Sequence, residues 1–360
     1  MTILIFLLII GSLVLVHEFG HFITAKKSGI RVEEFGIGFP PRIVGLKYGE
    51  TLYSINLIPF GGFVRIFGED PEEKELSSEE KKVSFAHKSA LIQGLVIAAG
   101  VFFNFIFAWI LLVAALMSGL QVPTDFAGVT EGKLVVTSVL AKSPADIAGL
   151  ASGDVLLSLE DEGSTSQELT PETVSSFIAG SQSKDIRVLY QRGNENFTTT
   201  IAPKEGIIVG RRAIGISMDM LADAHLSFFE AVPAGLSATV ILTQRSAQAL
   251  FAFFGGLLIG SSNFSQVTGP VGLVGVVGDA SRLGFVHLLF LAAGISIQLA
   301  VVNVIPFPAL DGGRLLFLFI ETIKGSPIRP SFVRAAHGVG FILLLALMFA
   351  VTWSDIVRLI

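Results

Sequence analysis

The chain has no cysteine. That excludes a disulfide frame, leaves the redox compartment undecided and confines any zinc to histidine and carboxylate ligands. Charge is scarce as well: Asp, Glu, Lys and Arg make up 15% of the 360 residues, against about 25% in soluble domains. With a mean hydropathy of +0.71, this excludes an ordinary soluble protein. The net charge is −5, so no basic surface points to nucleic acid. Six histidines are too few and too scattered for the histidine boxes of a membrane di-iron enzyme. No Lys or Arg precedes the first apolar run, and a metal-binding pattern stands where a small-residue cleavage site would fall. The N-terminal stretch is therefore not expected to be a secretory signal peptide but a retained membrane helix, residues 1–25.

Against this background the stretch His17-Glu18-Phe19-Gly20-His21 stands out. Residues four apart share one helix face, so His17 and His21 can grip one cation. Glu18 sits where a carboxylate can take a proton from a water activated by that cation. This is the H-E-x-x-H pattern of zinc hydrolases. A bare match can arise by chance on a soluble helix. Here Thr2 to Val16 carries no charge, and ionisable groups at membrane depth are costly and usually functional.

Between Lys26 and Lys88 there are ten Lys or Arg, so residues 26–88 are expected to form a cytoplasmic loop. Within it, residues 31–41 and 51–58 alternate as strands, with a turn at 47–50. Phe60, Gly61, Gly62, Phe63 and Val64 belong to an apolar but broken stretch, expected of backbone dipping toward the membrane beside protein; a plain cytoplasmic hairpin is the other reading. Residues 69–82 are a charge run, expected as a solvated link. Residues 89–120 form a second membrane helix, in which Asn104 is expected to pack against another helix rather than do chemistry.

Residues 121–220 turn soluble in composition, and the order of Leu134 to Val139, Ser143-Pro144-Ala145, Ala148-Gly149-Leu150 and Gly153-Asp154-Val155-Leu156 resembles a bacterial PDZ domain. Such domains add an extended peptide to a strand edge beside a helix. The edge is expected at Leu134, Val135 and Val136, the helix at 171–179; a groove that only plugs space is the other reading. Residues 221–282 are expected to be outer-surface or interfacial, with a short apolar helix at 249–260 and a sharp break at 268–272 whose amides need a partner. Residues 283–323 read as a third membrane helix broken at Asn303-Val304-Ile305-Pro306-Phe307-Pro308-Ala309-Leu310-Asp311-Gly312-Gly313. Broken helices are tolerated in a membrane where they line a site, which makes Asp311 a natural third ligand beside the two histidines. The competing role is a helix cap. A fourth helix spans 336–357, after a cytoplasmic link marked by Lys324, Arg329 and Arg334. Both chain ends are expected outside.

Taken together these motifs resemble the site-2 protease family, and within it the bacterial branch with a PDZ insertion, the regulator of sigma-E protease type. The resemblance covers nearly the whole chain. It implies a polytopic α-helical membrane protein of about four transmembrane helices, with a membrane re-entrant β element and one extracytoplasmic α+β PDZ domain. It implies one zinc per chain on His17, His21 and Asp311, with Glu18 as general base and acid. It also implies that Asn303 holds substrate or the developing oxyanion, and that Phe60 to Val64 present the substrate strand. The expected reaction is hydrolysis of single-span membrane proteins in the bacterial inner membrane: an anti-sigma factor already shortened outside, or remnant signal peptides. Tandem PDZ domains are usual in the branch, and this chain has room for one. A membrane zinc protease of another type, or a non-catalytic PDZ adaptor, are the competing readings.

Overall fold

The structure, a computed structural model, describes residues 1–69, 76–124, 132–161, 164–166, 169–181, 185–193, 195–208, 210–260 and 268–359. Residues 70–75 of the charge run and 125–131 of the soluble segment lie outside them. In chain order the elements are α1 (Thr2–Lys27), β1 (Val32–Tyr48), β2 (Thr51–Ile66), α2 (Ser78–Val83), α3 (Ala90–Met117), β3 (Leu120–Pro123) and β4 (Lys133–Val139). Then come α4 (Pro144–Ile147), β5 (Val155–Asp161), β6 (Ser164–Ser166), α5 (Pro171–Gly180), β7 (Ile186–Arg192), β8 (Glu195–Ile201), β9 (Lys204–Ile208), β10 (Arg211–Ala213) and β11 (Ile216–Ala224). The chain closes with α6 (Phe228–Leu258), α7 (Pro270–Leu283), α8 (Phe285–Val304), α9 (Asp311–Lys324) and α10 (Pro330–Leu359). It divides into two compact units, Met1–Ala115 with Phe228–Ile360, and Leu116–Ser227.

In the first unit, four helices are long and apolar enough to cross a membrane: α1, α3, α8 and residues Pro330–Val357 of α10. A 20-residue helix is about 30 Å long, the thickness of the hydrocarbon layer. α9, with 14 residues, reaches only about 21 Å. Several boundaries differ from expectation. The second helix stops at Met117 because Gly119 takes φ +90° and Leu120 opens β3. The fourth helix begins at Pro330, so Arg334 is helical rather than part of a link; proline tolerates the first helical turn, where its missing N–H has no partner to lose. The apolar run at 249–260 is no separate short helix but the end of the 31-residue α6. Within the described part of the charge run, Ser77 and Glu80 form a capping box at the start of α2, and the Ser77 backbone N–H and hydroxyl hold the exposed Glu80 carboxyl below its usual range.

The break at 268–272 finds its partner within this unit. Asp355, buried on α10, accepts hydrogen bonds from the Gly269 and Gly272 N–H groups at 3.2 and 2.8 Å. A carboxylate at a helix N-terminus meets both orphan amides and the positive end of the dipole, so α7 is anchored to α10.

β1 and β2 are antiparallel partners folded over on themselves. Their turn-proximal halves form a hairpin from Tyr48↔Thr51 to Arg42↔Asn56. The first part of β1 pairs on one edge with the end of β2, from Val32↔Ile66 to Ile37↔Gly62. On its other edge Glu34–Ile37 lies against Leu52–Ile55, the residue numbers rising together. Within the stretch read as broken apolar backbone, Gly62, Phe63 and Val64 pair with Ile37, Gly36 and Phe35, while Gly61 bends the chain at φ +82°. Glu34, buried at the centre of the fold-over, accepts from Ser54 Oγ at 2.7 Å and Arg42 Nη2 at 3.0 Å. Those bonds satisfy a carboxylate that would otherwise be expensive to bury. Phe22, Ala25, Ile30, Val32, Ile66, Phe85, Val96 and Ile97 form one buried cluster that seats this sheet on α1 and α3.

The second unit is α+β. Its main sheet runs β3-β11-β4-β5-β7-β8, with β6 beside β5, all antiparallel. Alternating residues such as Ile186, Val188 and Tyr190 of β7 point into a core shared with Val174 and Ile178 of α5. This topology corrects the expected peptide edge. Leu134, Val135 and Val136 lie in β4, which pairs with β11 through Val136↔Met218, Val135↔Asp219 and Leu134↔Met220 and with β5 through Val135↔Val155. All three are buried, so β4 is an interior strand with no edge to offer. Sequence alternation shows that a strand is buried but not which strand lies next to it, and β11 is contributed from some eighty residues downstream.

Asp154, 1% exposed, receives a fork from Arg192: Nε to Oδ1 and Nη2 to Oδ2, each at 2.7 Å, and its Oδ2 also accepts from Ala151 N–H at 2.8 Å. The bonds to Asp154 hold the Arg192 guanidinium above its already high range. Because the arginine is half exposed, solvent screens part of the pair; the buried carboxylate depends on it more than the reverse. Arg192→Met is expected to destabilise this unit by about 1–3 kcal/mol, read as faster proteolysis within residues 116–227 of the full chain in mild urea. An unchanged cleavage rate would show that the pair contributes nothing.

Candidate metal centre

α1, α3 and the start of α9 bring together the polar groups that the apolar sequence makes conspicuous. His17 and His21 lie one turn apart, both buried, with their Nε2 atoms 3.2 Å apart. Asp311, first residue of α9, places Oδ2 3.0 Å from His17 Nε2 and 3.4 Å from His21 Nε2. One donor atom from each residue falls within 4.8 Å of the others. Two residues separated from the third by almost the whole chain therefore meet in one cluster.

The surrounding bonds decide what the cluster can hold. His21 Nδ1 is 2.8 Å from the Val96 carbonyl; a carbonyl only accepts, so Nδ1 carries the proton and Nε2 presents a lone pair. His17 Nδ1 is 3.2 Å from the side-chain amide of Asn104, which is fully buried, with Oδ1 unpaired. The two ends of an amide are assigned from their hydrogen bonds. Turned so that Oδ1 accepts from His17 Nδ1–H, the amide loses its orphan and His17 Nε2 becomes a second lone pair. Asp311 Oδ2 is itself buried with no hydrogen bond. Three acceptors then face one another with no proton among them, an arrangement that a cation reconciles. The two-nitrogen, one-carboxylate set without thiolate suits zinc with an open position.

Asn104 packs against another helix, as its sequence setting suggests, and its partner there, His17, is a candidate ligand. The signal was in the spacing, since Gly100 and Asn104 stand four apart and share the helix face turned to α1. A Cβ at Gly100 would lie 2.5 Å from His21 Nε2 and 2.7 Å from His17 Cε1, so only glycine lets α3 approach the imidazoles. Ser296 Oγ of α8 donates to the Asn104 carbonyl at 2.9 Å, tying a third helix to this point.

A cavity of about 230 Å³ opens on the cluster, lined by His17, Glu18, His21 and Asp311 together with Phe63, Val64, Glu69 and Arg314. Glu18 thus shares the cavity with the three candidate ligands. Of the segment 60–64, Phe63 and Val64 line the cavity, Gly62 lies against Glu18, a Cβ there falling 3.9 Å from its Cγ, and Gly61 lies against Val14. The backbone of Phe60 belongs to β2. Asn303, on the last turn of α8, is half-buried and is not among the lining residues. The second cavity, about 400 Å³, lies in the other unit between α5 and β11, lined by Ser175, Ile178, Ile216, Ser217 and Met218 among others.

Membrane-length helices and a buried His–His–Asp cluster with a neighbouring Glu define a membrane-embedded zinc metalloprotease. The model of peptidase family M50 matches residues 5–347, and the chain belongs to that family, the site-2 proteases. Zinc metalloprotease RasP of Bacillus licheniformis is 31% identical over 99% of both chains. The regulator of sigma-W protease RasP of Bacillus subtilis is 30% identical, again over 99% of both. Among solved structures, the PDZ domain of the SdrC-like protein Lmo2051 from Listeria monocytogenes is similar over 25% of this chain and 90% of that one, at 22% identity and a TM-score of 0.21.

Asn104→Ala removes the partner of His17 Nδ1 and is expected to weaken zinc binding about 10- to 100-fold, measured by competition with a chromogenic chelator. Gly100→Ala, which pushes a methyl into both rings, is expected to abolish stoichiometric zinc. Wild-type zinc affinity in either variant would show that α3 does not orient the histidines.

Proposed function

We propose that His17, His21 and Asp311 hold one zinc, and that Glu18 is the general base and acid of an intramembrane endopeptidase. The convergence of three buried acceptors beside Glu18 carries this reading. Zinc, when bound, supplies Lewis acidity that brings the ionisation of a water molecule toward neutral pH. Glu18 takes the proton from the attacking water and returns it to the leaving amide nitrogen. The side chains of Phe63, Val64, Val96 and Ile97 line the cavity, so charge developing on the scissile carbonyl is screened less than in water.

The substrate is a single-span membrane protein. A transmembrane helix has its amides paired internally, so it must unwind before a peptide bond can be cut. Residues 62–66 offer it an alternative: their outer edge has no strand partner among the described residues, and Gly62 and Phe63 stand at the cavity beside Glu18. An unwound segment added to that edge exchanges helical bonds for ladder bonds and lies extended across Glu18. In this reading the sheet is a re-entrant element within the lipid, and Asn303, at the end of α8, holds the substrate backbone or the developing oxyanion.

The substrate proposed is an anti-sigma factor, with remnant signal peptides as further substrates; the name of the Bacillus subtilis relative, a regulator of sigma-W protease, supports the first. The chain sits in the bacterial inner membrane with residues 26–88 in the cytoplasm, and the PDZ unit and both ends outside, following the basic residues of that loop. Any peptide bound by the PDZ unit takes the edge of β11 at Ile216–Asp219, which has no strand partner on that side among the described residues, beside Ser175 and Ile178 of α5. β3 covers β11 only from Leu221 to Ala224.

Glu18→Gln is expected to keep one zinc per chain and the wild-type melting temperature while losing about 10²–10⁴-fold in cleavage rate of a single-span substrate in detergent. Asp311→Ala is expected to lose the zinc. Normal turnover by the first variant, or full zinc in the second, would end this assignment.

A further inference from the structure

The turn that carries Asp311 into the cavity holds a conformation that its own residues disfavour. Phe307 O accepts from Leu310 N–H at 3.1 Å, with Pro308 and Ala309 between them. Ala309 has φ +80°, the value a type II turn requires at its third residue, where glycine or asparagine is usual. Alanine brings a Cβ into the left-handed region, where it crowds the next carbonyl. Strain of this kind persists only where surrounding structure over-determines it.

The surrounding structure is α10. His337 Nδ1 accepts the Ala309 N–H at 3.0 Å, and the His337 ring packs on Phe317 of α9 at 5.6 Å. Three residues on, on the same helix face, Gly340 is buried against the turn: a Cβ there would lie 2.3 Å from Pro308 O. α10 therefore grips both central residues. The chain just beyond the turn is stiff. Cβ atoms at Gly312 and Gly313 would strike the carbonyls of Val304, Ile305 and Phe307 at 2.2–2.3 Å, so the start of α9 is pressed onto the turn and moves with it. Asp311 lies between.

We propose that His337 is a positioning residue. By accepting the Ala309 N–H it holds the Phe307–Leu310 turn in the conformation that presents Asp311 to His17 and His21. The assignment rests on the zinc reading of that cluster. It adds a residue from α10, outside the cavity, whose loss acts through the geometry of one ligand rather than through contact with substrate.

The strain at Ala309 permits a test by relief. His337→Phe keeps a ring against Phe317 and removes the acceptor; His337→Asn keeps an acceptor atom at the same distance along the side chain. Ala309→Gly removes the steric penalty, so the turn no longer needs holding. Apparent zinc affinity is measured in detergent by chelator competition for H337F, H337N, A309G and A309G/H337F, with D311A as control. H337F is expected to bind zinc about 10-fold more weakly or worse. H337N, A309G and the double variant are expected within about 3-fold of wild type. Wild-type affinity in H337F, or a double variant as weak as H337F, overturns the proposal. Should H337F fail to fold, recovery of fold and zinc in the double variant supports it, and failure to recover overturns it. Zinc lost in D311A but unaffected in H337F sinks this inference alone. Full zinc in D311A sinks the ligand reading beneath it as well.

Discussion

Two imidazole nitrogens and a carboxylate oxygen, buried within van der Waals reach of one another in apolar surroundings, are the costliest feature of this molecule. Each would be fully solvated in water, and burial removes most of that solvation here. The rest of the first unit can be read as the means of making that arrangement tolerable. Val96 and Asn104 turn the ring protons outward, Gly100 lets the helix that carries them come close, and the paired glycines after Asp311 let α9 start hard against the end of α8. What is left facing inward is a set of lone pairs suited to one cation. The unfavourable burial of the free residues and the favourable binding of the metal have the same cause.

The same economy governs the polar groups away from the site. Asp355 meets the amides at the head of α7, Glu34 collects Ser54 and Arg42 at the fold-over of the sheet, and Asp154 takes the Arg192 fork. In each case a buried carboxylate ends a segment's backbone or joins two segments distant in sequence. Two strand edges have no strand partner among the described residues: that of residues 62–66 beside Glu18, and that of β11 at Ile216–Asp219, which borders a cavity in the other unit. Both are places where an extended chain can complete a ladder that the protein leaves unfinished.

Much of the site was legible because it rests on local rules. The four-residue spacing of His17 and His21 is a property of any helix, and charge in an otherwise apolar run is conspicuous without a structure. Asp311 was legible because two prolines and two glycines cannot continue a helix, which sets one carboxylate in a gap between two apolar runs. The α+β character of the second unit was legible in its short strands and turns, but the neighbours of its strands were not. The apolar run Leu134–Val136 reports that β4 is buried and is silent about the strands on either side.

The sequence by itself determined the helices long and apolar enough to cross a membrane, the pairing of two histidines on one face, and the break that carries Asp311, which the structure brings beside them. These depend on hydropathy and helical period, which act over a few turns of chain. Only the tertiary structure decided that Asn104 faces His17, that Asp355 completes the break at 268–272, that β4 is interior and that His337 grips the turn before Asp311. Each of those joins residues tens of positions apart, and each is a hydrogen bond or ladder whose partner no local pattern names. Periodicity tells a residue which way to face; only packing tells it what it will find there.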